Sequence, residues 1–271
     1  MTTDKIRVTI LPTGTVHADL QWLLVDPARM LTPNGGPRER DWVDVPTHVV
    51  YIEHPNGQRM LWDAGVPRDW ETRWAPMGFD ETFPIDGVPE EDWLDSRLRQ
   101  LEIGPDDVDM LVLSHLHIDH VGNAQLWAGT STTIIVDEAE KAGAFSFDGA
   151  NLGAHLRSDY DGLDLTTIAA DTELMPGVTA LRTPGHTWGT LSLQVDLVDS
   201  GTMIFASDAL YRSESYGPPA LPAAIVHDTV AWFASVEKIR GIAERTDGKV
   251  IFGHDADQLR TLRTGVGNSY T

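Results

Sequence analysis

The chain of 271 residues contains no cysteine, and this absence restricts the chemistry that it can carry. Disulfide bonds are excluded, and so is every site that holds a metal ion through a thiolate. Any metal ion would therefore have to be bound by nitrogen and oxygen atoms alone.

Long hydrophobic runs are also absent. No window approaches the roughly 18 consecutive apolar residues that a membrane-spanning helix requires. The N-terminal residues 1–7 lead directly into a strand-like run, without the basic and apolar regions of a signal peptide. We therefore expect a cytoplasmic protein without a membrane partner.

Basic residues are few. Lysine and arginine number 20 against 41 acidic residues, and the formal net charge is −21. Binding to a phosphate backbone needs the opposite sign, so we expect no nucleic-acid partner. The excess of negative charge is typical of a well-solvated surface, while a hydrophobic content of 41% is enough for a sizeable core.

Histidines and carboxylates are concentrated in one short stretch, Ser114–His120, with the sequence SHLHIDH. It follows Val108–Leu113, an apolar run with the length and composition of a buried strand. Imidazole nitrogens and carboxylate oxygens are preferred ligands of Zn²⁺ and similar ions. The first two histidines of the stretch can converge on one ion, while the aspartate and the third histidine turn toward a neighbouring one. A metal site at the end of this strand is therefore predicted.

The hydrophobic patterns predict an α/β fold made of one domain, residues 1–271. Alternating residues at 45–53 and 59–63, joined by a turn at 55–58, indicate a β-hairpin. The element order favours two sheets packed face to face with helices outside. Further strands are predicted at 6–15, 108–113, 133–136, 178–183, 190–195, 202–206 and 249–252, and helices at 90–101, 121–127, 137–144 and 229–245.

Four stretches give no regular pattern. Residues 33–37 have loop composition, and residues 145–165 are irregular, with a histidine, His155, that we interpret as solvated. Residues 66–92 carry several aromatic side chains among charges, which fits either a pocket mouth or a hydrophobic cluster over the core. Residues 212–228 also remain without a structural prediction.

The pattern H-x-H-x-D-H in Ser114–His120 resembles the metallo-β-lactamase fold superfamily. The resemblance implies a four-layer αββα sandwich and three more metal ligands, each placed at the end of an apolar run. The sequence supplies His186 in TPGHT, Asp208 in FASDA and His254 in IFGHD. The lack of cysteine argues against those β-lactamase subclasses that use a cysteine ligand.

Within this superfamily the chain looks most like the N-acyl homoserine lactonases, which degrade quorum-sensing signals. The most specific match is the stretch DALY, residues 208–211, which corresponds to the family's D-A-x-Y. By this resemblance, Tyr211 would hydrogen-bond the substrate carbonyl, and Asp63, in a D-x-G element, would orient a metal-bound histidine. The implied ligand sets are His115, His117 and His186 for the first ion, Asp119, His120 and His254 for the second, and Asp208 as the bridge.

The implied activity is the hydrolysis of a small-molecule lactone. A hydroxide bridging two divalent ions would attack the lactone carbonyl, with Asp119 or Asp208 carrying the proton. Zinc is the default from the ligand types, although sites built from nitrogen and oxygen also accept manganese, iron and cobalt.

Other activities of the same superfamily remain open. The stretch 187–190 and the segments 66–92 and 212–228 do not match the lactonase pattern clearly. A lactonase acting on another ring, such as a 4-pyridoxolactonase-like enzyme, an ester or thioester hydrolase, and an iron-dependent persulfide-oxidising enzyme are the alternatives. The sequence also leaves open whether the protein is a monomer or a homodimer.

Overall fold

Two β-sheets face each other in the computed structural model, which describes residues 4–26, 41–147 and 154–271. The first sheet has six strands in the order β1-β2-β3-β4-β5-β6, and the second has five in the order β11-β10-β9-β8-β7. The strands are β1 Arg7–Asp19, β2 Trp42–Glu53, β3 Arg59–Trp62, β4 Met110–Val112, β5 Thr133–Asp137, β6 Leu165–Ile168, β7 Thr172–Met175, β8 Val178–Arg182, β9 Leu191–Leu197, β10 Gly201–Phe205 and β11 Lys249–Ile251.

Strand direction brings several chain segments to one edge of the sandwich. The predicted hairpin is confirmed as the antiparallel pair β2–β3, and β3 then runs parallel to β4, β5 and β6. In the second sheet β11 is parallel to β10, and two antiparallel pairings make β8 run in the same direction. The carboxyl ends of β3 and β4, and those of β8, β10 and β11, therefore emerge together within each sheet.

Ten α-helices connect or cover the strands within the described residues. Short 3₁₀ helices lie between them, at Ala75–Met77, Glu90–Asp92, Pro105–Asp107, Ala124–Trp127 and Ser207–Ala209. The α-helices are α1 Leu20–Leu23, α2 Trp70–Trp74, α3 Phe79–Thr82, α4 Leu94–Gln100, α5 Ile118–Val121, α6 Glu138–Ala144, α7 Arg157–Tyr160, α8 Ser213–Tyr216, α9 Thr229–Thr246 and α10 Ala256–Leu259.

Three apolar clusters hold the layers together. The central one lies between the sheets and includes Val50 and Val112 from the first sheet and Leu193 and Phe205 from the second. A second cluster packs helix α4 and its neighbours on the outer face of the first sheet. A third packs helix α9 on the outer face of the second sheet. Helix, sheet, sheet and helix follow one another, so the predicted αββα sandwich is confirmed.

Helix α9 is present where it was predicted, but its buried face differs from the apolar face that the helical pattern of the sequence predicts. That predicted face consists of Val230, Phe233, Val236, Ile239, Ile242 and Ala243. Val230 and Phe233 are exposed, whereas Trp232 is buried. The Trp232 indole Nε1 donates to the carbonyl of Ala209 at 2.8 Å. A Cβ atom at Gly185 would lie 2.3 Å from the backbone nitrogen of Trp232. The first turn of helix α9 therefore packs directly on the loop after strand β8 that contains Gly185. This close approach turns Trp232 inward, away from the simple periodic stripe.

The segment 66–92 is more regular than its sequence indicates, because it contains α2, α3 and two 3₁₀ helices. Trp74 is fully buried there, in an apolar cluster that also includes Ile85 and Tyr211. The interpretation as a hydrophobic cluster is thus confirmed, although Trp74 and Phe83 also line a cavity described below.

Two further predictions concern a loop and the possibility of a membrane-spanning helix. The loop at 33–37 lies outside the described residues. Among the residues that are described, no helix is both long and apolar enough to cross a membrane.

Candidate metal centre

The histidine-rich stretch occupies the loop that follows strand β4. The chain leaves the sheet after Val112, and Leu113 still donates its N–H to Ile135. His117 is the residue before helix α5, with extended backbone angles. The predicted helix at 121–127 is therefore wrong in its start: an α-helical turn begins at Ile118, and a 3₁₀ helix follows at 124–127.

All seven of the predicted metal-binding side chains lie together at the edge where the strands end. They form two groups, within each of which the candidate ligand atoms lie within 4.8 Å of one another. All but the aspartate of the second group are buried. The first group is His115, His117, His186 and Asp208, and the second is Asp119, His120 and His254.

Asp208 lies between the two groups. Its Oδ2 is 3.4 Å from the Nε2 of His115 and 3.2 Å from that of His186. Its Oδ1 is 3.1 Å from the Nε2 of His120 and 2.9 Å from that of His254. One carboxylate thus presents one oxygen to each group, which is a geometry in which two ions could share it as a ligand.

The outward-facing nitrogens of four imidazoles have partners that fix the orientation of the rings. The Nδ1 atom of His120 lies 2.9 Å from a carboxylate oxygen of Asp63. The Nδ1 atoms of His186 and His254 lie 2.8 and 3.0 Å from backbone carbonyls, and that of His115 lies 3.0 Å from the Ser114 hydroxyl. Such partners hold the opposite nitrogen, Nε2, toward a metal ion.

Asp63 occupies the supporting position that its D-x-G element predicts. Besides His120, it accepts the N–H of Ser114 at 2.7 Å and the Ser114 hydroxyl at 2.9 Å. Its backbone is in the left-handed region, at φ 65°, directly after strand β3. This turn aims the carboxylate across the sheet edge at the histidine loop.

The residues of both groups fit divalent cations. Within the described part of the chain, the buried Nε2 atoms of His115 and His120 form no regular hydrogen bond, although Asp208 oxygens lie 3.4 and 3.1 Å away. His117 faces the His186 Nε2 with its Nδ1, at 3.0 Å. Burial lowers the pKa of His115 to about 4 and that of His117 well below its ordinary value, so both rings are neutral, as a metal ligand must be.

The second group favours positive charge. Burial alone would lower the pKa of His120, but the carboxylates of Asp208, Asp119 and Asp63 raise it well above its ordinary value. Burial likewise opposes ionisation of Asp208, yet the neighbouring histidines hold its pKa well below the usual range. A cation is therefore stabilised between these carboxylates, whether it is a proton or a metal ion.

Tyr211 lies beside both groups. Its ring centre is 5.4 Å from that of His186 and 5.1 Å from that of His254. Burial and the negative charges of Asp208 and Asp119 raise the pKa of Tyr211 well above 10, so its hydroxyl keeps its proton and acts as a donor.

Two neighbouring cavities open onto the centre. The smaller, of about 60 Å³, is lined by Asp119, Tyr211 and His254 together with apolar side chains that include Trp74 and Phe83. The larger, of about 740 Å³, has an aromatic wall of Phe79, Phe147 and Trp188, with His227 beside it. Trp22, His117 and Ile225 border both cavities.

Two buried residues near the centre were not recognised from the sequence. The Glu140 carboxylate accepts the N–H of Leu116 at 3.0 Å and lies 2.9 Å from the His155 Nε2. Burial would raise the pKa of Glu140, but the hydrogen bond from His155 and the neighbouring histidine charges lower it to about 2. The interpretation of His155 as a solvated loop residue is wrong, since it is 2% exposed. The one available signal was the placement of Glu140 four residues before the apolar Ala144 in a predicted helix.

Comparison with known proteins identifies the family of the chain. The model of the metallo-beta-lactamase superfamily matches residues 42–254. N-acyl homoserine lactonase AiiB of Rhizobium rhizogenes is 31% identical, over 97% of this chain and 99% of its own length. N-acyl homoserine lactonase AiiA of Bacillus thuringiensis subsp. kurstaki is 31% identical, over 82% of this chain and 86% of its own.

A solved structure has the same fold. It is an N-acyl homoserine lactone hydrolase with the product N-hexanoyl-L-homoserine bound at its catalytic metal centre. The two chains are 25% identical and superpose with a TM-score of 0.79, covering 97% of this chain and 98% of the other.

Proposed function

The chain belongs to the metallo-beta-lactamase superfamily, and we propose that it is a dinuclear-metal hydrolase that opens the ring of an N-acyl homoserine lactone. The observation that carries the proposal is the position of Asp208, with one oxygen toward each of two histidine groups. The activity of the relatives named above supports the substrate class.

We assign each side chain a role on this basis. His115, His117 and His186 would hold the first ion, and Asp119, His120 and His254 would hold the second, with Asp208 shared between them. Zinc suits these nitrogen and oxygen ligands, and manganese, iron and cobalt suit them as well. When bound, two such ions supply a hydroxide at neutral pH and polarise a carbonyl group.

The protein's own side chains would complete the reaction. The protonated Tyr211 hydroxyl donates a hydrogen bond to the lactone carbonyl oxygen, and this bond strengthens as negative charge develops there. Asp119 is the more exposed of the two candidate proton carriers, at 20% of its side chain against 2% for Asp208. It can therefore move a proton from the nucleophile to the leaving alkoxide and exchange it with solvent.

The cavities fit a substrate with a compact reactive ring and an apolar tail. The smaller one places apolar walls around Asp119 and Tyr211, next to the predicted metal positions. The larger one falls within the roughly 300–1,000 Å³ of small-molecule sites and is mostly aromatic and aliphatic. An acyl chain would be desolvated there, while the ring lies at the metal centre.

Several statements about the whole protein stay predictions. These are the single hydrolase domain over 1–271, the cytoplasmic location, the lack of a nucleic-acid partner and a monomeric or homodimeric state. The single domain is supported by the central apolar cluster, which includes residues from Val8 to Tyr270.

The test combines metal analysis with substrate hydrolysis. Metal content would be measured by mass spectrometry, and ring opening would be followed by pH-stat across acyl-homoserine lactones of several chain lengths. We expect two divalent ions per chain and proton release that is lost in His117→Ala. His54→Ala is the matched control, because His54 is buried at the end of β2 and contacts the carbonyl of Pro176, outside both histidine groups.

Other results would replace the proposal. Two ions with hydrolysis of esters or thioesters, but of no acyl-homoserine lactone, would indicate another hydrolase of the superfamily. A single iron per chain without any ring opening would favour persulfide oxidation.

A further inference from the structure

Glu140 makes its contacts with loops that carry the predicted ligands. Its Oε1 accepts the N–H of Leu116, the residue between His115 and His117. Its Oε2 accepts the N–H of Gly189 at 3.2 Å, three residues after His186. One carboxylate therefore joins the two loops that supply the three histidines of the first group.

His155 extends this connection to a third loop. Its Nε2 lies 2.9 Å from the Glu140 Oε1, and its ring centre is 4.4 Å from that of His117. The preceding carbonyl, of Ala154, accepts the N–H of Ile118 at 3.1 Å. Glu140 and His155 thus contact the loop and the ring of His117, whose Nδ1 lies 3.0 Å from the His186 Nε2.

The position of Glu140 is itself tightly determined. It lies in the first turn of helix α6, where Asp137 accepts the N–H groups of Ala139 and Glu140 at 2.8 and 3.4 Å. A Cβ atom at Gly189 would lie 2.2 Å from Asp137 and 2.6 Å from the Glu140 nitrogen. The loop after His186 therefore packs directly on the helix start, and neither part can shift alone.

We propose that Glu140, together with His155, is a positioning residue that sets the separation of His117 and His186 and so the geometry of the first metal ion. The inference rests on the proposed function. The groups that surround the carboxylate oxygens are all hydrogen-bond donors. They are the N–H groups of Leu116 and Gly189, the His155 ring and the Thr187 hydroxyl. Glutamine would place its own NH₂ group against one of them, so a carboxylate is required although it touches no substrate.

The variant Glu140→Gln tests the inference through the metal ion itself. Mutation of a residue that supports a metal ligand typically lowers metal affinity 10–100-fold. We expect one of two Co²⁺ ions to bind at least 10-fold more weakly, with a changed visible absorption spectrum, and the other to bind as in the unchanged protein. In lactone hydrolysis kcat should fall about 10-fold or more, while KM changes less than about 3-fold, because Glu140 does not line either cavity.

Two further variants keep the test decisive. Glu138→Gln is the matched control: it lies on the same helix but is exposed, and it should leave both Co²⁺ affinities unchanged. His155→Gln retains an N–H donor toward Glu140 but removes the ring beside His117, and it should show a weaker effect of the same kind. If Glu140→Gln does not fold, the His155→Gln variant alone tests the inference.

An unchanged Co²⁺ spectrum and unchanged affinities in both variants, with a loss of thermal stability only, would overturn the inference. Failure of the proposed function would look different: the unchanged protein would bind two ions but open no lactone, and the comparison of Co²⁺ spectra would still stand.

Discussion

Asp159 is a buried carboxylate that should make the fold less stable as the pH rises, and its replacement by asparagine tests this reasoning. It is 1% exposed, and burial raises its pKa from the ordinary 3.8 to about 7. Arg73 opposes this shift through a 3.1 Å contact with Oδ1, but the same guanidinium also pairs with Asp69 and with the carbonyl of Gly122. Within the described residues, Oδ2 of Asp159 has no hydrogen-bond partner.

The sign follows from the raised pKa. The folded state binds the proton more tightly than the unfolded state, so the stabilisation is fully present below about pH 4 and is lost as the pH rises through about 7. Since one pKa unit corresponds to about 1.4 kcal/mol, the full loss is on the order of 4 kcal/mol. An asparagine side chain at this position would carry no charge, and its amide oxygen would still accept from Arg73.

Urea unfolding of Asp159→Asn and of the unchanged protein, at several pH values between 5 and 8, measures the effect. The advantage of the variant should grow by about 3 kcal/mol over this range, because the unchanged protein loses stability as its carboxylate ionises. Effects of pH on all other groups cancel in the difference. Asp161→Asn is the control, since Asp161 is exposed and pairs with Arg157 at the surface, and its difference should stay constant.

One outcome would refute this account. If Asp159→Asn were less stable than the unchanged protein at pH 8, the ion pair with Arg73 would outweigh the penalty of burial, as in buried pairs whose rupture costs about 3–5 kcal/mol.

Four further changes have defined outcomes. Asp63→Asn should weaken metal binding about 10–100-fold by equilibrium dialysis, because it supports both His120 and Ser114. Tyr211→Phe should lower kcat about 100-fold with little change in KM, as expected for loss of a donor to the developing oxyanion. Trp188→Ala should lower kcat/KM about 10-fold for long acyl chains and less for short ones, since the indole lines the larger cavity. Asp228→Ala should cost about 1 kcal/mol in urea unfolding, because the side chain caps helix α9 through the N–H groups of Val230 and Ala231.

The predicted ligands were accessible from sequence because each one combines a metal-binding residue type with the end of a strand. His186, Asp208 and His254 follow apolar runs that became β8, β10 and β11. These three strands run in the same direction, so their ends meet. The sequence alone could not show that direction, and for these residues the family resemblance supplied it.

Elements at the sheet edges were missed for a different reason. Strands β6 and β7 have four residues each and are partly exposed, so their composition resembles that of loops. The periodic stripe of helix α9 was misleading at Val230 and Phe233, because close packing of the first turn on Gly185 turned Trp232 inward. In both cases the structure was determined by tertiary packing and not by the local sequence pattern.

The contacts that orient the candidate metal ligands could not be predicted from the sequence. His186 and His254 are oriented by the backbone carbonyls of Ile225 and Pro46, and every residue type possesses such a carbonyl. Glu140 does carry a distinctive group, but it lies 24 residues from Leu116 and 49 from Gly189, and only the fold brings the three together. Ligands can thus be inferred from residue type and strand position. The separation between them depends on contacts that have no signature in the sequence, and variants of Glu140 probe that separation directly.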